Sequence, residues 1–175
     1  MRLSTVVIAM IITLSVLFGG KYVYELNANQ DLLQKIRSVA AVEEVKIARD
    51  ERPPTVYLQL SEVDDLGKVY RQIRKIVDTY LGQEYQVVLV DRRTKKLEEV
   101  FNECQFSVYE AISTGQYQQM SRVVKETAKN SGVAVRISMD SSNIYLQFKD
   151  SGDYLYEVIP RWPQLAQGES PPQTK

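Results

Sequence analysis

The stretch that decides the fold is Thr55-Val56-Tyr57-Leu58-Gln59-Leu60-Ser61-Glu62-Val63-Asp64 together with the helix-patterned residues from Leu66 to Leu81. Apolar side chains alternate from Val56 to Leu60, the period of a half-buried strand. From Leu66 the period lengthens. Leu66, Val69, Tyr70, Ile73, Ile76, Val77, Tyr80 and Leu81 recur at steps of three, four and one, which predicts an amphipathic helix. Ser61-Glu62-Val63-Asp64 between them reads as a capping box, with Ser61 accepting from the amide three residues on.

Working upstream, Glu44-Val45-Lys46-Ile47 alternates as a strand, and Glu51-Arg52-Pro53-Pro54 supplies the turn of a hairpin with the 55–60 run. Leu32, Leu33, Ile36, Val39 and Ala40 form the stripe of a preceding helix. Downstream, Gly82 stops the central helix. Tyr85 to Val90 follows, apolar on both faces, and predicts an interior strand. Residues 29–91 therefore read as one αββαβ unit.

Residues 94–160 read as a second unit, ααβββ. Leu97, Val100, Phe101, Cys104, Val108, Ala111 and Ile112 share one helical stripe, interrupted at Thr114-Gly115. Tyr117, Met120, Val123, Val124 and Ala128 share the next, which stops near Gly132. Three alternating runs, Val133 to Met139, Asn143 to Phe148 and Tyr154 to Ile159, predict an antiparallel meander. The hairpins echo each other: Val45-Lys46-Ile47 with Val56-Tyr57-Leu58-Gln59-Leu60, against Val135-Arg136-Ile137 with Ile144-Tyr145-Leu146-Gln147-Phe148. The body is thus α+β, built of two related αββ-containing units. Alternation places Val56, Leu58, Leu60, Ile144, Leu146 and Phe148 on core faces. It turns Tyr57, Gln59, Tyr145 and Gln147 outward, with Tyr154 and Tyr156 beside them, as the candidate interface. Residues 161–175, rich in Pro and Gln, are expected to be a disordered tail.

At the other end, only Lys21 is charged between Leu3 and Tyr24. As a helix this stretch is long enough for a hydrocarbon core of about 30 Å. Cutting after Gly20 would leave Phe18 at the third-last position, and cutting after Ala28 would leave Leu26 there. Neither suits a signal peptidase, although a cleaved, secreted form stays open. The expectation is a cytoplasmic start at 1–4 and a transmembrane signal anchor at 5–24. Lys21, Tyr22 and Tyr24 would sit at the headgroups, and the C-terminal body would lie outside the cytoplasm.

The 175 residues carry 22 Lys and Arg against 22 Asp and Glu, no histidine and one cysteine. A neutral chain has no field for holding phosphates, so nucleic acid is not an expected partner. Without histidine there is no imidazole base or metal ligand, and one cysteine makes no disulfide or thiolate cluster. Cys104, on an apolar stripe, is expected to be buried and inert. Glu62, Asp64, Asp65, Asp140, Asp150 and Asp153 fit caps and turns better than a calcium site. Glu98, Glu99 and Glu103 fit a solvated helix face better than a glycosidase pair. Arg92, Arg93, Lys95 and Lys96 fit a solvated helix entry. No catalytic residue, metal or cofactor is expected.

The helix-strand-strand-helix-strand order behind a single anchor resembles the ring-building motifs of bacterial secretion and sporulation assemblies, and the BON-type envelope domains. The resemblance covers about residues 29–91 and lies in element order. It implies packing against an envelope partner or against copies of the chain itself, and it does not imply catalysis. The expected function is a single-pass, membrane-anchored, non-enzymatic binding or assembly module of the bacterial cell envelope. The alternative is a membrane-tethered ligand sensor or carboxylate-based hydrolase.

Overall fold

The local periods resolve into helices and strands in the order αββαβ and then ααβββ, in a computed structural model that describes residues 30–39, 41–82 and 84–162. The expected anchor at 5–24, its interfacial residues Lys21, Tyr22 and Tyr24, the cytoplasmic start, and Ala40 of the first stripe lie outside the described residues. Among the described residues, no helix is long and apolar enough to cross a membrane.

Helix α1 (30–37) buries Leu32 and Ile36, with Val39 just beyond it. Strands β1 (Val42–Ala48) and β2 (Thr55–Leu60) form the antiparallel hairpin, helix α2 (Leu66–Leu81) follows, and β3 (Gln86–Val90) returns parallel to β2. Sheet order is β1-β2-β3, so β3 is an edge strand. The interior position expected from its all-apolar composition is thereby corrected. Val88 and Val90 face solvent, 39% and 42% exposed, while Val87 and Leu89 lean on the core.

The second unit opens with helix α3 (Lys95–Thr114), whose Thr94 side chain accepts from the Leu97 amide at 3.3 Å. Gly115 ends it at φ 76, the left-handed conformation that a glycine adopts without a Cβ penalty. Helix α4 (Tyr117–Asn130) packs back along α3, and strands β4 (Ala134–Met139), β5 (Asn143–Asp150) and β6 (Asp153–Pro160) make the antiparallel meander β4-β5-β6. One face of this second sheet, through Ile144, Leu146, Phe148, Leu155 and Ile159, packs on Leu97, Val100, Cys104, Val108, Met120 and Val124 of the two helices.

The opposite face of the second sheet carries the main correction. Tyr145, Gln147, Tyr154 and Tyr156 are not outward: all four are buried against the first unit. Tyr70 of α2 meets the Tyr145 ring edge-on at 5.9 Å, and a Cβ added at Gly67 would stand 3.0 Å from that ring. The segment joining β2 to α2 is held by its backbone. Tyr154 Oη donates to Leu60 O at 2.6 Å, the Val63 amide donates to Tyr156 Oη at 2.9 Å, Gln147 Nε2 donates to Val63 O at 2.8 Å, and the Leu66 amide donates to Gln147 Oε1 at 3.0 Å. The chain enters helix only at Leu66, so the predicted cap at Ser61 is also corrected. The N-cap is Asp65, which accepts from the Lys68 amide at 2.9 Å, and Ser61 Oγ turns to Ala41 O.

A further correction concerns the chain's end. Arg161 and Trp162, assigned to the tail, pack on the β4-β5 turn. Arg161 donates to Asp140 O at 2.8 Å and stacks over Tyr117, and Trp162 donates to Ser141 O at 3.3 Å. Residues 163–175 lie outside the described residues.

The Gln147 bonds generate a prediction. Gln147→Met keeps the shape but leaves the Leu66 amide and Val63 carbonyl without partners. A loss of about 2–4 kcal/mol is expected in urea unfolding, against less than about 1 kcal/mol for Gln59→Met at the echoing position.

Candidate binding face

Of the six Tyr and Gln positions expected as the interface, two stay accessible. Tyr57 and Gln59 lie on the solvent side of the first sheet, and strand register gathers neighbours around them. One row across the sheet is Lys46-Tyr57-Val88, and the next is Glu44-Gln59-Val90. The alternate rows, Ile47-Val56-Val87 and Val45-Leu58-Leu89, face α1 and α2. A depression of about 260 Å³ lies on this face, lined by Glu44, Lys46, Tyr57, Gln59 and Val90. Tyr57 Oη donates to both Glu51 oxygens at 3.0 and 3.2 Å, which pushes its ionisation upward, and Gln59 Nε2 donates to Glu43 at 3.1 Å. These bonds fix the Tyr57 hydroxyl and the Gln59 amide, a low-entropy arrangement for contact.

The other four residues form the seam between the units. A second cavity of about 190 Å³ opens there. Gln147, Tyr154 and Tyr156 are among its lining, along with Glu62, Arg136 and Lys149. Its polar groups are already engaged, since Lys149 pairs with Glu62 at 2.5 Å and Arg136 donates to Asp64 O.

The charged candidates are likewise absorbed by structure. Arg93 forks onto Asp91 at 2.8 and 2.9 Å and reaches Glu157 at 3.4 Å, while Asp91 also takes the Tyr156 amide at 2.9 Å. This clamp ties the end of β3 to β6, next to the Arg92–Tyr154 bridge. Burial pushes the Glu157 carboxyl up, against the pull of Arg93. Neither the open-face depression nor the seam cavity includes Asp91 or Glu157. Lys96 pairs with Asp150 at 2.8 Å and Lys95 with Glu99 at 3.6 Å. Asp140 closes the β4-β5 turn: burial opposes its ionisation, but Tyr145 Oη at 2.7 Å, the Ser142 and Asn143 amides at 2.8 Å, and Arg71 at 3.2 Å hold it below the usual carboxylate range. Among the described residues, no three His, Cys, Asp or Glu side chains converge as a metal site. Cys104 is fully buried, which pushes its thiol up.

Sequence reasoning passed over Phe106 and Tyr109. They fall off the stripe from Leu97 to Ile112, and that displacement was the available signal. They are 79% and 59% exposed.

No protein-family model matches the chain, and no curated protein or solved structure matches it.

Two measurements follow from these environments. Burial, reinforced in Tyr145 by the Asp140 bond, pushes Tyr145 and Tyr156 up to about 12. An unfolded tyrosine ionises near 10, so their contribution is complete below about pH 10 and is lost as pH rises toward 12. The expected loss is of order 2–3 kcal/mol per ring. Phenolate absorbance should show these rings ionising together with alkaline unfolding, and Tyr145→Phe should lessen that pH dependence. Separately, Cys104 should resist a thiol reagent in the folded chain and react once urea unfolds it.

Proposed function

We propose that the chain is a single-pass, membrane-anchored, non-enzymatic binding or assembly module of the bacterial cell envelope, with its body outside the cytoplasm. The observation that carries the reading is the open face of the first sheet. It presents Lys46-Tyr57-Val88 and Glu44-Gln59-Val90 in register, with no helix covering them among the described residues. Its mixture of a fixed aromatic ring, apolar valines and both signs of charge is the composition of a protein contact surface. The absence of histidine from the sequence agrees with a binding role.

The apolar segment at 5–24 supports the anchor. Tethering holds the open face within a thin layer at the membrane, where a partner anchored alongside meets it at a high effective concentration. The partner is an envelope protein or another copy of the chain. Neither nucleic acid nor a cofactor enters this reading.

The test is chemical crosslinking in native membranes. Tyr57→Ser with Val90→Lys is expected to lower the yield of the crosslinked complex about tenfold, the effect of losing one strong contact. The urea midpoint should stay close to the parent's. An unchanged complex, or a mature protein beginning near residue 21 or 29, overturns the module or the anchor respectively.

A further inference from the structure

We propose that the outer face of α3 around Phe106 and Tyr109 is a second docking surface, and that its occupant is a cationic amphipathic helix of a partner protein. The inner stripe of α3, through Leu97, Val100, Cys104, Val108 and Ala111, is spent on the second sheet. Phe106 and Tyr109, three residues apart, are neighbours on the far side. At 79% and 59% they are the two most exposed large apolar side chains among the described residues. The first sheet does not contribute to this patch, so it stands apart from the open face.

Charge selects the occupant. From Leu97 to Thr114 the helix carries Glu98, Glu99, Glu103 and Glu110 and no Lys or Arg. Glu103 precedes Phe106 by three residues and Glu110 follows it by four, so acids flank the aromatic pair along the same side. Both are exposed, and no described salt bridge engages either. An anionic lipid surface is repelled by this set. A second copy meeting α3 against α3 sets four acids against four. A helix with an apolar stripe flanked by Lys or Arg satisfies both halves: the stripe covers the rings, and the cations pair with Glu103 and Glu110.

The experiment uses the full chain in its native membrane, with the photo-reactive residue benzoylphenylalanine in place of Phe106 and mass-spectrometric mapping of the attached peptide. The expected adduct is to a different protein, on a segment with Lys or Arg at spacings of three or four beside an apolar stripe. Adding Glu103→Lys and Glu110→Lys should cut the adduct about tenfold, and raised ionic strength should weaken it. Tyr57→Ser, on the open sheet face, should leave it intact. The substituted positions are exposed, and an unchanged urea midpoint shows that the variant is folded. An adduct confined to lipid or to a second copy, an adduct indifferent to charge reversal, or no adduct at all overturns the proposal.

Discussion

Between the last residue of β2 and the first turn of α2, the chain passes through the buried Val63, whose amide and carbonyl no ladder or helix pairs. Buried amides and carbonyls without partners are costly, and here the partners come from the other half of the molecule. Tyr154, Tyr156 and Gln147 bond Leu60 O, Val63 N, Val63 O and Leu66 N. Much else depends on this arrangement. It delays α2 until Asp65, and it seats Gly67 under the Tyr145 ring. It also covers the second face of a sheet whose first face is already packed on α3 and α4, leaving β5 buried from Ile144 through Gln147 to Phe148.

The same economy governs the charges. Several ionic groups are spent on joining parts of the molecule: Arg93 bridges Asp91 and Glu157, Arg71 reaches Asp140, and Lys96 holds Asp150. Most of these pairs join segments distant in sequence, so their value lies in orientation as much as in energy, exposed pairs contributing little on their own. Two surfaces escape this internal consumption: the open face of the first sheet, which is mixed in sign, and the outer side of α3, which is acidic and aromatic. Their different chemistry suits different partners.

The α+β class and the order of elements were legible in the sequence because periodicity is a local property. Leu66 to Leu81 steps as a helix, and Val56 to Leu60 alternates as a strand, whatever the rest of the chain does. What alternation does not encode is whether a strand's second face is later covered. Tyr145 and Tyr57 occupy echoing positions in similar strings, yet one is buried and the other half-exposed, because among the described residues only the second sheet has a neighbour on that side. Strand order is equally non-local, so the apolar Gln86–Val90 run looked interior and proved to be an edge. Ser61 had the chemistry of a cap but lost the position to long-range bonds that hold its segment outside the helix.

The way residues 60–66 are held also distributes mutational freedom unevenly along the chain. Four of the bonds that pin this connector are made to its main chain, which every residue except proline at a donor position can supply. The exposed side chain of Asp64, which no described bond engages, is therefore free to drift over evolutionary time. The pattern Tyr145-x-Gln147 followed by Tyr154-x-Tyr156 is not, since no other residues offer those atoms at those lengths. Divergent descendants of this fold would carry their signature in the second sheet, far from the connector it stabilises.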